Sequence, residues 1–130
     1  MATVIANAGK AIVTNRLKGS GTEPNYAAWG TGAGTAAATD TTLFTEALVT
    51  LSAGTSDHTT CTSSRQTTST TNDTYRVTGT RTATGSGTVT NAGLWDAASA
   101  GNLFFKGDFT GIGLVSGDSI AFTFNTQFTN

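Results

Sequence analysis

Charge is scarce in this chain. Asp, Glu, Lys and Arg make up 12% of 130 residues, and the net charge is -1. Nucleic-acid binding is driven largely by neutralising phosphates, so seven basic residues against eight acidic ones leave no footprint for DNA or RNA. The single cysteine, Cys61, has no partner for an internal disulfide, which excludes a cross-linked secreted module. The single histidine, His58, stands three residues before it. A structural zinc site needs about four ligands, and a Cys–His nucleophile needs an orienting group and an oxyanion donor. Two residues in a polar stretch supply neither. No catalytic residue, no metal ligand and no cofactor-binding residue is therefore assigned, and no cofactor is expected. Apolar runs are short, so no membrane span is read, and Met1–Asn7 lacks the basic-then-apolar order of a signal peptide. Large aliphatics are also few. Leu, Ile, Val and Phe total 24 of 130. A fraction below roughly 20% marks disorder only when net charge is high, and here it is near zero.

Hydroxyls take the place of charge. There are 29 threonines, β-branched residues whose hydroxyls suit the wet face of a sheet. The strongest local pattern runs from Asp118 to Phe128. Ile120, Phe122, Phe124 and Phe128 share one parity; Ser119, Thr123, Asn125 and Gln127 share the other. Such alternation predicts an antiparallel strand with one buried face, and all four apolar residues are expected to be buried.

Asn7–Lys18 reads as the one helix, with Ile5, Ala8, Ile12 and Leu17 as its apolar stripe. Asn7 is the expected cap, Arg16 and Lys18 suit the C-terminal dipole, and Gly19 suits the left-handed stop. Tyr26–Trp29 follows as a short strand with Pro24 ahead of it. A further strand is expected from near Glu46 to Leu51, then a polar loop over Ala53–Thr62. Strands are read at Ser64–Thr71, Thr74–Thr84, Thr88–Trp95 and Leu103–Phe109, with Gly85-Ser86-Gly87 as a hairpin turn and Asp96–Asn102 as a loop. The expectation is one mainly β domain over residues 1–130: an antiparallel sandwich or barrel-like sheet with one short N-terminal helix.

Other candidate chemistry is thin. Gly30-Thr31-Gly32-Ala33-Gly34 has the look of a phosphate cradle, but Thr35 stands where a dinucleotide loop needs Gly, and no Gly-Lys-Ser/Thr follows. The carboxylates Glu23, Asp40, Glu46, Asp57, Asp73, Asp96, Asp108 and Asp118 mostly fall at turns or strand ends, where Asp commonly bonds nearby backbone. Trp29 and Trp95 are expected in the core or an interface rather than as a sugar platform.

Two blocks carry a resemblance. One runs from Gly21 through Glu23-Pro24-Asn25-Tyr26-Ala27-Ala28-Trp29-Gly30 to Ala38-Thr39-Asp40-Thr41-Thr42-Leu43-Phe44. The other joins Thr71–Thr80, Thr90-Asn91-Ala92-Gly93-Leu94-Trp95-Asp96 and Gly117–Phe124. Together they resemble small virion proteins of tailed bacteriophages, described as tail-fibre-like proteins or as capsid decoration (cement) proteins. The resemblance implies a non-enzymatic, β-rich particle component, found in the virion after assembly in the host cytoplasm. It also implies a homo-oligomer of three copies, with the major capsid protein or another virion protein as partner. A decoration protein is the first expectation, since no heptads, β-helix or long repeat marks a fibre. The alternatives are a tail-fibre or baseplate accessory for host attachment, and a small virion-associated glycan hydrolase. Independently of the resemblance, so few large apolar residues offer little burial against the cost of ordering the chain. That points to burial completed against other copies. The helix and the loop at Gly30–Asp40 are the expected contact regions.

Overall fold

The computed structural model describes residues 1–47 and 58–130. It is a mainly β structure of two antiparallel sheets with one helix, as the composition and alternation predict. Most of the expected strand from Glu46 to Leu51 and the first half of the expected loop at Ala53–Thr62 fall on residues 48–57, outside those described; the second half is not a loop, since Thr59–Thr60 form a short strand and a further strand begins at Thr62. Within the described part, Glu46 makes an isolated antiparallel bridge to Gly30.

The chain begins with β1 (Thr3–Ile5), α1 (Asn7–Lys18) and β2 (Tyr26–Gly30). It continues through β3 (Thr59–Thr60), β4 (Thr62–Gln66), β5 (Thr74–Thr82), β6 (Gly87–Trp95), β7 (Leu103–Leu114) and β8 (Ser119–Gln127). A five-stranded sheet has the order β1-β7-β6-β2-β3, and a three-stranded sheet the order β4-β5-β8. β1 carries too few residues to show a period, and the sequence pattern does not reveal it.

Helix α1 has the predicted bounds, but its start differs. The cap position is Ala6, with no side-chain cap, and Asn7 Oδ1 accepts from Lys10 Nζ instead. Burial of Ala6 and its N–H bond to the Phe104 carbonyl hold the first turn against β7. Gly19 ends the helix at φ 89°, and its N–H returns to the Arg16 carbonyl. Of the predicted stripe, Ile12 is buried and Leu17 is 85% exposed. The helix turns its buried side through Gly9, where a Cβ would sit 2.4 Å from the Phe104 carbonyl oxygen. The close approach of helix and strand thus sets the buried face, not the largest side chains.

Gly85-Ser86-Gly87 is not a hairpin turn. β5 lies in the three-stranded sheet and β6 in the five-stranded one, so the segment carries the chain across the sandwich. The step from β7 to β8 crosses back. The crossings are tied together, Ala83 N–H to Asp118 O and Gly117 N–H to Ala83 O. True hairpins join β4 to β5 and β6 to β7. β7 also runs five residues past its predicted end at Phe109, pairing with β6 to Leu114.

Between the sheets lies the main core, built from Ile12, Ala27, Trp29, Val77, Val89, Leu94, Phe104 and Phe124 among others. A second cluster of Ala6, Ala28, Leu43, Trp95 and Leu103 lies on the opposite parity of β2, so the five-stranded sheet is buried on both faces. Along β8 the alternation holds: Phe124 is buried, Ile120 and Phe122 are half-buried, and the other parity is exposed. Phe128 departs from it. It lies just past the end of the strand and is 55% exposed, because pairing with β5 stops at Gln127.

Candidate functional site

His58 and Cys61 flank β3, but they have separate partners. The His58 Nδ1–H faces the Ala97 carbonyl at 2.8 Å, Nε2 lies 2.9 Å from Glu46 Oε1, and the ring stacks on Trp95 at 4.6 Å. Both facing groups accept hydrogen bonds, so both contacts are satisfied together when each ring nitrogen carries a proton. His58 is buried and Glu46 partly so, and the contacts pin β3 beside the loop after β6. Cys61 is buried one residue on, where the chain passes from the five-stranded to the three-stranded sheet. Its thiol donates to the Thr59 carbonyl at 3.3 Å, and burial pushes its pKa up, which disfavours the nucleophilic thiolate. Gly79 on β5 makes room for it, since a Cβ there would lie 2.2 Å from the sulfur.

Two buried cations have no forewarning in the sequence pattern. Arg81 on β5 reaches across the sandwich: Nη1 donates to the Ala27 carbonyl at 2.7 Å and to Thr59 Oγ1 at 2.9 Å, and the guanidinium lies 5.3 Å from the Trp29 ring centroid. Burial lowers its pKa. Lys106 on β7 is 1% exposed. Its ammonium donates to Asp40 Oδ2 and the Thr42 carbonyl, each at 2.9 Å, and sits 3.2 Å from the Phe44 ring centroid. The Lys106 hydrogen bond, followed by one from the Ala37 N–H, holds Asp40 below its ordinary pKa. These cations fasten the two sheets to each other and the 31–46 loop to the five-stranded sheet.

That loop is no phosphate cradle. The N–H groups of Thr31 and Gly32 donate to the carbonyls of Thr45 and Phe44, at 3.0 and 2.9 Å, so they face protein. Asn91 on β6 bonds both ends of the Phe44 peptide, accepting from its N–H and donating to its carbonyl.

The described carboxylates are all engaged. Asp73 accepts the N–H groups of Thr68, Ser69 and Thr70, and with Gln127 these hold its pKa well below the carboxylate range. Asp96 closes the β6–β7 hairpin through Asn102, and Asp118 accepts from the Val115 N–H. Those are the turn roles expected from sequence. Asp108 instead joins the Ala36 and Ala2 N–H groups from distant parts of the chain, and its pKa is lowered. Glu23 accepts the Tyr75 hydroxyl, and burial followed by that carboxylate raises the tyrosine pKa. Among the described residues no three His, Cys, Asp or Glu side chains gather as a metal site requires, and no helix is long and apolar enough to cross a membrane.

Among the described residues three hollows open on the surface, one of them polar and lined by Ser69, Thr70, Asp73 and Gln127 among others, the other two mainly apolar. A groove of about 320 Å³ lies beside α1, between Ile12, Val13 and Leu17 on one side and Pro24, Tyr75 and Phe128 on the other. Arg16 and Glu23 are also in its wall. A second hollow, of about 330 Å³, opens between β1 and β8 and exposes parts of Phe105, Phe109, Phe122 and Phe124. Only the three-dimensional fold brings these surfaces together, because their residues are spread over most of the chain.

Comparison with known protein families, with curated proteins and with solved structures returns no match.

Proposed function

We propose that this protein is a structural component of a bacteriophage particle, a capsid decoration protein that binds and stabilises the outer shell. In this reading it acts without catalysis, as a homo-oligomer of three copies around a capsid symmetry axis, seated on the major capsid protein. The observation that carries the proposal is how the polar groups are used. Each described carboxylate is bound to backbone or to another side chain within the fold, and two of the hollows on the surface are mainly apolar and suited to protein contact. The resemblance supplies the particle.

The test is a particle lacking the protein. Decoration predicts that such particles assemble, yet rupture at lower temperature or lower internal pressure than complete ones. Particles of full physical stability that fail to adsorb to cells would establish the tail-fibre or baseplate reading instead. Release of fragments from cell-wall glycan by the purified protein would establish the hydrolase.

A further inference from the structure

β8 is an edge strand that lacks every ordinary protection. It pairs with β5 over nine consecutive residues, Ser119–Gln127, with no register shift, and among the described residues no strand lies on its other side. Natural sheets guard such edges with charge, proline, a bulge or brevity. From Ser119 to Asn130 there is no charged residue and no proline, the ladder has no bulge, and nine residues is long for an edge.

The second hollow lies along this edge. Phe122, Thr123, Phe124 and Asn125 all line it. Consecutive residues of a strand point to opposite faces, so a single cavity touches all four only where it wraps round the strand's edge. β5 covers one edge, which leaves the free one. The opposite wall comes from Met1, Thr3, Phe105, Gly107 and Phe109 on or beside β1 and β7, and β1 is itself the end strand of its sheet. The sandwich is therefore open along one side, with two strand edges and partly covered phenylalanines at the opening. Met1 in its wall is exposed, as are Val115 just before β8 and Phe128 just after it, at the two ends of the strand.

We infer that the free edge of β8 is a subunit contact, taking a strand from a second copy of this chain so that the three-stranded sheet runs on into its neighbour. Charge favours a copy over a different protein. In a contact between copies any edge charge is repeated on each partner, and β8 carries none to repel its counterpart, while a hollow with no charged side chain in its wall offers little to select a charged peptide. The contact rests on the homo-oligomer part of the reading above and is independent of where the protein sits in a particle. A measurement in solution can thus fail without touching the decoration proposal, and the reverse.

The experiment combines mass by light scattering across a concentration series with residue-resolved amide hydrogen exchange on the purified full chain. In an antiparallel edge strand alternate amides point at the neighbour and the rest point outward. The inference predicts an oligomer in which all amides of Ser119–Gln127 are protected, with alternate ones becoming fast on dilution. Ala121→Lys and Thr123→Lys place charge on the exposed face of the edge, opposite the uncharged Thr80 and Thr78, without entering the core. Each should weaken association by about tenfold, with the β5-facing amides still slow as proof of folding. A mass of two means that β8 meets β8 of its partner; a mass of three means that it meets another edge of the next copy. Both uphold the contact. A single-chain mass at every concentration with alternate amides fast, an oligomer indifferent to both lysines, or polydisperse aggregation in place of a defined mass would overturn it.

Discussion

The two sheets of this molecule solve burial in different ways. The five-stranded sheet is covered on both faces, by the other sheet together with α1 on one and by the 31–46 loop on the other, and β2 and the second half of β6 are almost wholly buried. With so few large aliphatics available, it fills that space with small residues, two tryptophans and hydrogen-bonded polar groups such as Asn91 and Lys106. The three-stranded sheet is covered on one face only, and β8 alternates exposed with buried or half-buried residues. Double cover by small and polar residues demands specific partners at each position. Single cover demands only the right parity.

Trp29 should show the contrast most strongly. It is fully buried between the sheets, packed against Phe122 and beneath Arg81. Trp29→Ala should cost about 3–5 kcal/mol, whereas Phe122→Ala, only partly buried on the three-stranded sheet, should cost less, about 2–3 kcal/mol. Urea unfolding of both variants measures the ratio. Equal losses would mean that the two sheets are covered alike.

Lys106 tests the polar half of the comparison. Lys106→Ala removes two charge-assisted hydrogen bonds and the cation over Phe44, and leaves Asp40 without its cation. A loss of about 2–3 kcal/mol is expected, less than for a fully buried partner because Asp40 remains reachable by water. Amides of the 31–46 loop should exchange faster before the three-stranded sheet does.

Acid should loosen both sheets through different aspartates. Asp40 and Asp108 hold the chain against the five-stranded sheet, and Asp73 closes the β4–β5 turn. All three have folded pKa values below their ordinary 3.8. The unfolded chain therefore binds protons first, so stability is intact above that value and declines as pH falls through it. Cys61 and Tyr75 are shifted the other way, from 9.0 and 10.0 upward. Their contribution is intact below those values and declines as pH rises past them. Thermal melts across pH should show a plateau with both limbs. Asp73→Asn should move the acid limb while leaving the alkaline one in place.

These differences explain what the sequence made legible. Alternation exposed β5 and β8, because a sheet wet on one face writes its burial as parity. Helix α1 was legible through its period and Gly19, yet its buried side was not, because a contact at Gly9 overrides the pull of Leu17. Crossing between sheets at Gly85–Gly87 was hidden: glycines mark a change of direction but not which strand comes next. The second cluster under Leu43 and Trp95, the buried Arg81 and Lys106, and both apolar hollows depend on residues far apart in sequence, and neither a period nor a motif records such distances. Turn aspartates were legible because their partners are local; Asp108, reaching Ala36 and Ala2, was not.

Phe128 gives the smallest effect and a sharp limit on parity. It continues the pattern of Ile120, Phe122 and Phe124, but the ladder ends at Gln127 and its ring lies in solvent beside the α1 groove. A side chain that gains little burial contributes little to folding, so Phe128→Ala should change the stability of the dilute protein by less than about 0.5 kcal/mol. Phe124→Ala, two pairs inside the strand end on the same parity, should cost about 3–5 kcal/mol. Denaturant midpoints of the two variants decide it. A loss at Phe128 approaching that at Phe124 would mean that the strand extends past Gln127 and that single cover reaches the end of the chain.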